Sequence, residues 1–117
     1  MDNNTLIILA IAVAVIVLPR IIRAIGQVSP QKAKELADSG ALIVDVRESS
    51  EFRNGHIKKA INIPLSSIGK ISSKTNKDKD IILYCQSGAR SASASKRLKS
   101  MGYTKVYDLG SIKRWHQ

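Results

Sequence analysis

The chain holds one cysteine, three prolines and five aromatic side chains, and only nine acidic residues stand against 19 basic ones. A single cysteine excludes an intramolecular disulfide, a thiolate zinc cluster and a Cys-x-x-Cys redox pair. The shortage of acid leaves a net charge of +10. Residues 1–28 contribute only +1 of this, Arg20 and Arg23 against Asp2, so about +9 belongs to the remainder. The lysines are scattered in ones and twos (Lys32, Lys34, Lys58, Lys59, Lys96, Lys99) with no aromatic platform for bases, which argues against nucleic acid as the partner. An anionic membrane surface, a small anionic substrate and a merely solvated basic face stay open. With 117 residues, no internal repeat and no low-complexity tract, one domain is expected.

Charge is absent altogether from Thr5 to Leu18, 14 residues that span about 21 Å as a helix and fall short of a hydrocarbon core of about 30 Å. Extension through Pro19, Arg20, Ile21, Ile22, Arg23, Ala24 and Ile25 reaches about 31 Å if both arginines snorkel to the headgroups. A single transmembrane helix is therefore expected within residues 1–28, with Gly26–Ser29 as a short tether. The rival is a cleaved secretory signal, supported by the apolar length and by the small residues of Ala24-x-Gly26. Against it, no Lys or Arg precedes the apolar run, and both arginines follow it. The same asymmetry places the downstream domain in the cytoplasm.

Residues 29–117 read as an α/β domain. Ser29-Pro30 is an N-cap followed by proline at the first helical position, with Ala33, Leu36 and Ala37 as the inward stripe and Gly40 as terminator. Ala41–Val46 is a short continuous apolar run, the pattern of a strand buried on both faces. Glu48–Asn54 suggests a short helix, Ala60–Ile63 a strand stopped by Pro64, and Leu65–Ser73 a polar helix. Ile81–Tyr84 is a second buried strand that delivers Cys85, Ala89–Met101 a helix capped by Gly102, and Lys105–Leu109 a last strand before a helical turn at Ile112–Trp115. This alternation predicts a mostly parallel sheet with helices on both faces. Trp115 is expected in the core.

The chemistry concentrates at Cys85-Gln86-Ser87-Gly88-Ala89-Arg90. Ligands of open α/β sheets bind beyond the carboxyl ends of the strands, which is where Cys85 falls. The Gln86-Ser87-Gly88 turn frees backbone amides to form a nest, and the helix beginning near Ala89 aims its positive end at the same point. Both effects favour a thiolate and attract anions. Gly88 leaves room where the backbone turns, and Arg90 supplies a planar cation able to fork onto a sulfate-like or phosphate-like group.

These residues resemble the rhodanese family of sulfurtransferases. The resemblance extends over nearly all of 29–115 and is carried by Asp45-Val46-Arg47, Glu51-Phe52, Gly55-His56-Ile57, Ala60-Ile61-Asn62-Ile63-Pro64, the loop from Cys85 to Ser91, Gly102-Tyr103, Val106-Tyr107 and Asp108-Leu109-Gly110. It implies a single parallel-sheet domain in which Cys85 takes a sulfane sulfur from a donor such as thiosulfate and passes it on from a persulfide. The acceptor would be cyanide or an external thiol, including a partner protein's thiol. No cofactor or metal is called for. The fold is also similar to that of cell-cycle dual-specificity phosphatases, whose loops place five residues between cysteine and arginine. Here four intervene, and the position a phosphatase requires for arginine is Ser91. Where many relatives carry a Gly-Gly pair before the last helix, this chain has Gly110-Ser111.

Outside the loop, Asp45 is expected to support it electrostatically or to cap the next turn. Arg47 and Glu51, four apart, suggest a structural ion pair, with a secondary role for Arg47 in guiding anions. His56 reads as a hydrogen-bonded scaffold residue and His116 as solvated. The functional expectation is a membrane-anchored sulfurtransferase working through Cys85. The alternatives are a non-catalytic membrane-tethered interaction module and a small-substrate phosphatase.

Overall fold

The computed structural model describes residues 1–115 except for the side chains at positions 23 and 24, so the Arg23 side chain and His116 lie outside the described residues. Helix α1 (Asn3–Ile25) continues without interruption through Pro19. Its Asn3–Ile22 portion has a mean hydropathy of 2.8, none of it buried. It is long and apolar enough to cross a membrane, a property that a signal sequence near the N-terminus shares.

The remainder is a four-stranded, wholly parallel sheet. Helix α2 (Pro30–Asp38) is capped by the Ser29 hydroxyl, which accepts the Lys32 N–H at 3.1 Å. Then follow β1 (Leu42–Asp45), α3 (Ser49–Arg53), β2 (Ile61–Asn62), a 3₁₀ segment (Leu65–Ser73), β3 (Ile81–Cys85), α4 (Ala89–Ser100), β4 (Val106–Ser111) and a 3₁₀ turn (Ile112–Arg114). The strand order β2-β1-β3-β4 puts β3 inside the sheet and β4 at its edge. Because side chains alternate along a strand, β3 feeds two cores. Ile81, Leu83 and Cys85 join Ala94 and Leu98 of α4 with Ile68 and Ile71, while Ile82 and Tyr84 join Ala33 of α2 with Ile57 and Leu109. Helices cover both faces, as the strand and helix alternation predicts.

Three local departures have physical causes. Leu65–Ser73, expected as a polar helix, is a helix of the 3₁₀ type kinked at Ser67. Serine and glycine are weak α-helix formers, and Ile68 and Ile71, three apart, both reach the core on a repeat of three residues per turn. Trp115 is half-buried against the α2 face, with Lys34 Nζ 5.4 Å from its ring centroid, so it is a rim residue and not a core one. Finally, the segment expected as a tether is docked. Gln27 forms a parallel bridge with Asp108, and the Val28 N–H donates to the Asp108 carbonyl at 2.8 Å.

β4 carries an irregularity that bears on the site. Leu83 pairs with Asp108 but Tyr84 pairs with Gly110, so Leu109 is an extra residue and the pairing shifts by one. Gly110 adopts φ +87°, and the Asp108 carboxylate accepts its N–H at 2.8 Å. The shift brings Gly110-Ser111 beside Tyr84-Cys85.

Candidate active site

Cys85 ends β3 and is fully buried. Gly88, at φ +100°, turns the chain so that its own N–H points back at the sulfur, 3.0 Å from Sγ. Helix α4 begins at the next residue. Its first amides have no partner within the helix, and Gly88 brings no side chain to cap them. The sulfur does so instead, accepting the Ser91 N–H at 3.4 Å with Ser91 Oγ at 3.7 Å. Two inward amides and the positive end of a 12-residue helix thus converge on one atom, an arrangement that favours negative charge there.

The loop is held from several sides. The Ser91 hydroxyl lies 3.1 Å from the Gly88 carbonyl and 3.5 Å from that of Gly110. The Ser111 hydroxyl donates to the Gln86 carbonyl at 2.7 Å. Gln86, Ser87 and Ala89 are exposed, Gly88 is buried and Arg90 is half-buried.

Arg90 does not project freely over the loop. Its guanidinium forks onto Glu51 at 2.6 and 3.0 Å. That hydrogen bonding takes the Glu51 carboxyl from 4.5 down to about 2 and raises the guanidinium in turn. The expected Arg47–Glu51 pair is therefore not formed. The four-residue rule applies to positions on one helix, and Arg47 lies in the bend that precedes α3. Arg47 instead clamps Asp45, with Nε at 3.0 Å and Nη2 at 2.7 Å from the carboxylate, both residues being buried. Its Nη1 donates to Gln86 Oε1 at 3.2 Å and its Nη2 to the Gly55 carbonyl at 2.7 Å.

Asp45 Oδ1 accepts the Arg47 N–H at 2.9 Å, closing the turn, and the paired Arg47 guanidinium in turn reaches Gln86. Tyr84 lies between, its ring 5.7 Å from the Arg47 guanidinium carbon and its hydroxyl accepting the Ile57 N–H at 3.1 Å. Burial drives its phenol well above the ordinary range. His56 donates from Nδ1 to the Phe52 carbonyl at 2.8 Å and stacks on the Phe52 ring with centroids 3.7 Å apart. It is an exposed scaffold residue, and none of these contacts reaches the loop. Among the described residues no group of three or more His, Cys, Asp or Glu side chains is arranged to hold a metal.

The sequence brings Cys85, Gln86, Gly88, Arg90, Asp45 and Arg47 into view, and the structure joins them in one assembly. Ser91, Ser111 and Glu51 as loop supports were missed. Only Ser91 carried a usable signal, as the third residue of a helix that starts at Ala89.

A parallel sheet with an amide-held cysteine at the carboxyl end of an internal strand defines an open α/β protein whose site lies where ligands of such sheets bind. The match to the rhodanese-like domain covers residues 29–117, and the chain belongs to that family and to its sulfurtransferase class. Over 76 residues it is 43% identical to the uncharacterized protein YqhL of Bacillus subtilis, covering 64% of this chain and 60% of that protein. Over 90 residues it is 31% identical to the thiosulfate sulfurtransferase GlpE of Pseudomonas savastanoi, covering 76% and 85%. A solved Escherichia coli rhodanese with anions superposes with a TM-score of 0.62 at 32% identity, covering 64% of this chain and 91% of that one.

Proposed function

We propose that the protein is a membrane-anchored sulfurtransferase that moves a sulfane sulfur from thiosulfate or a similar anionic donor to cyanide or a thiol through a Cys85 persulfide. The observation that carries this reading is the pair of amides on Cys85 Sγ at 3.0 and 3.4 Å. The thiolate attacks the outer sulfur of thiosulfate, an S–S bond forms to Cys85, and the donor's S–S bond breaks to release sulfite with its electron pair. An acceptor thiolate or cyanide then attacks the outer sulfur of the persulfide, giving a persulfidated thiol or thiocyanate and restoring the Cys85 thiolate. No second cysteine exists in the chain, so the acceptor comes from outside.

Cys85 carries the chemistry, and Gln86, Ser87, Gly88, Ala89 and Arg90 form the loop that binds the donor. Asp45, Arg47 and His56 support the loop and its flank. Cys85 is fully buried, while the Gln86-Ser87 stretch that follows it is exposed. In this reading residues 1–28 anchor the catalytic domain, 29–117, on the cytoplasmic side, since Arg20 and Arg23 follow the apolar run. The excess of basic charge assists collection of anionic donors at close range, being screened beyond about 8 Å at physiological salt.

The test is mass spectrometry of the intact chain after thiosulfate treatment. Wild type gains the mass of one sulfur atom on Cys85, which an external thiol removes, and Cys85→Ser gains none. No gain on wild type, or undiminished turnover by Cys85→Ser, refutes the sulfurtransferase. Partner capture equal for wild type and Cys85→Ala, with no transfer activity, would favour the interaction module.

A further inference from the structure

Gln27 precedes the matched family domain, yet it lies against the loop that holds the sulfur. An ideal Cβ on Gly88 would sit 3.3 Å from Gln27 Nε2, and one on Gly110 would overlap the Gln27 side-chain amide outright. Gly88 gives its N–H to Cys85 Sγ, and the Gly110 carbonyl lies next to the Ser91 hydroxyl. Gln27 therefore occupies the seat beneath both backbone pieces that hold the sulfur cradle closed. Its own position is set by the parallel bridge to Asp108, by the Val28 N–H on the Asp108 carbonyl, and by Arg114 Nη1 donating to the Val28 carbonyl at 3.1 Å.

We infer that Gln27 is a positioning residue for the sulfur loop, acting through its packing against Gly88 and Gly110. The inference rests on Cys85 as the working sulfur. The physical argument is steric. Gly88 stands in the left-handed region, where its amide direction depends on what packs against it, and the Gln27 amide fills the space that the two glycines leave open. Removing that packing lets Gly88 and Gly110 relax, and the N–H···S bond lengthens.

The consequence is separable from ordinary anchoring by moving Gln27 without deleting it. Two glycines inserted between Gly26 and Gln27 lengthen the connection but leave Gln27 docked, whereas the same insertion between Gln27 and Val28 displaces it. In the full-length chain in detergent micelles, the first insertion keeps wild-type kcat for thiosulfate. The second insertion and Gln27→Ala lower kcat roughly tenfold with little change in KM, the scale of one weakened hydrogen bond to a charged group. Hydrogen exchange at the Gly88 amide provides a readout independent of turnover: its protection falls in Gln27→Ala and in the second insertion only. Identical behaviour of the two insertions, or wild-type Gly88 protection and kcat in Gln27→Ala, overturns the inference. Absence of a persulfide on wild-type Cys85 instead overturns the sulfurtransferase reading, and the exchange measurement still decides the role of Gln27.

Discussion

Cys85 performs two tasks with one atom. In the proposed reaction its sulfur is the nucleophile, and in the structure it takes the place of the missing N-cap side chain of α4. A negative sulfur satisfies the helix better than a neutral one, so catalytic and structural preferences coincide. Ser91 completes the arrangement from within the buried cradle. Ser91→Ala strips its hydroxyl from the Gly88 and Gly110 carbonyls, with an expected loss of about 1–3 kcal/mol in urea denaturation and slower turnover. Glu51 offers a pH test. Its carboxyl is held at about 2, below its ordinary 4.5, so the Arg90 pair contributes stability fully above about 4.5 and loses it as pH falls toward 2. The side chains are about one-third exposed, which limits the contribution to about 0.5–1 kcal/mol. Thermal melts should show Glu51→Gln less stable than wild type at pH 7, with the gap closing between pH 4.5 and 2.

At the scale of elements, α4 lies close to the sheet through Ala94, Ser95 and Leu98, and its N-terminus cannot move without moving the sulfur site. Leu98→Ala opens a void in the core shared with Ile68 and Leu83 and should cost about 2–5 kcal/mol by chemical denaturation. β4 is equally constrained at its irregularity. Gly110→Ala places a Cβ on the Gln27 amide at a residue with φ +87°, for an expected loss of about 1–3 kcal/mol. Gln27→Ala in the same chain should restore the steric part and leave the conformational part, a partial recovery visible in the melting temperature. These supports were largely invisible in sequence. Gln27, Glu51 and Ser111 are separated from the loop by tens of residues, and only the parallel crossings bring them to the carboxyl ends of the strands. The helix type of Leu65–Ser73 was not legible for a different reason: its hydrophobic pair fits helical spacing, while its serines and glycine leave the type to packing.

For the whole molecule, the proposed anchor and the catalytic domain meet at Gly26-Gln27, with no free spacer between α1 and the sheet. The Cys85 loop is therefore expected to work close to the membrane surface. Deleting residues 3–25 while retaining Gly26 and Gln27 should release the protein from the membrane fraction into the aqueous fraction in cell fractionation. A full-length chain found only in the soluble fraction would refute the anchor. Protease protection of the C-terminal domain in right-side-out vesicles, with digestion in inverted ones, would place it in the cytoplasm. The reverse pattern would overturn that orientation.

The sequence by itself determined what depends on local chemistry: the apolar helix, the buried strands, the capped start of α2, and a cysteine followed by glycine at the head of a helix. Each follows from the spacing of side chains along a few consecutive residues. Tertiary structure alone decided the partners. Arg47 turned to Asp45 because it sits in a bend and not on the helix, which left Glu51 for Arg90 across 39 positions. The shifted pairing of β4 set Gly110 and Ser111 against the loop, and a segment legible only as a connector became its support. Charge pairing and close packing depend on distances in space, and the chain reveals those only once the sheet has assembled.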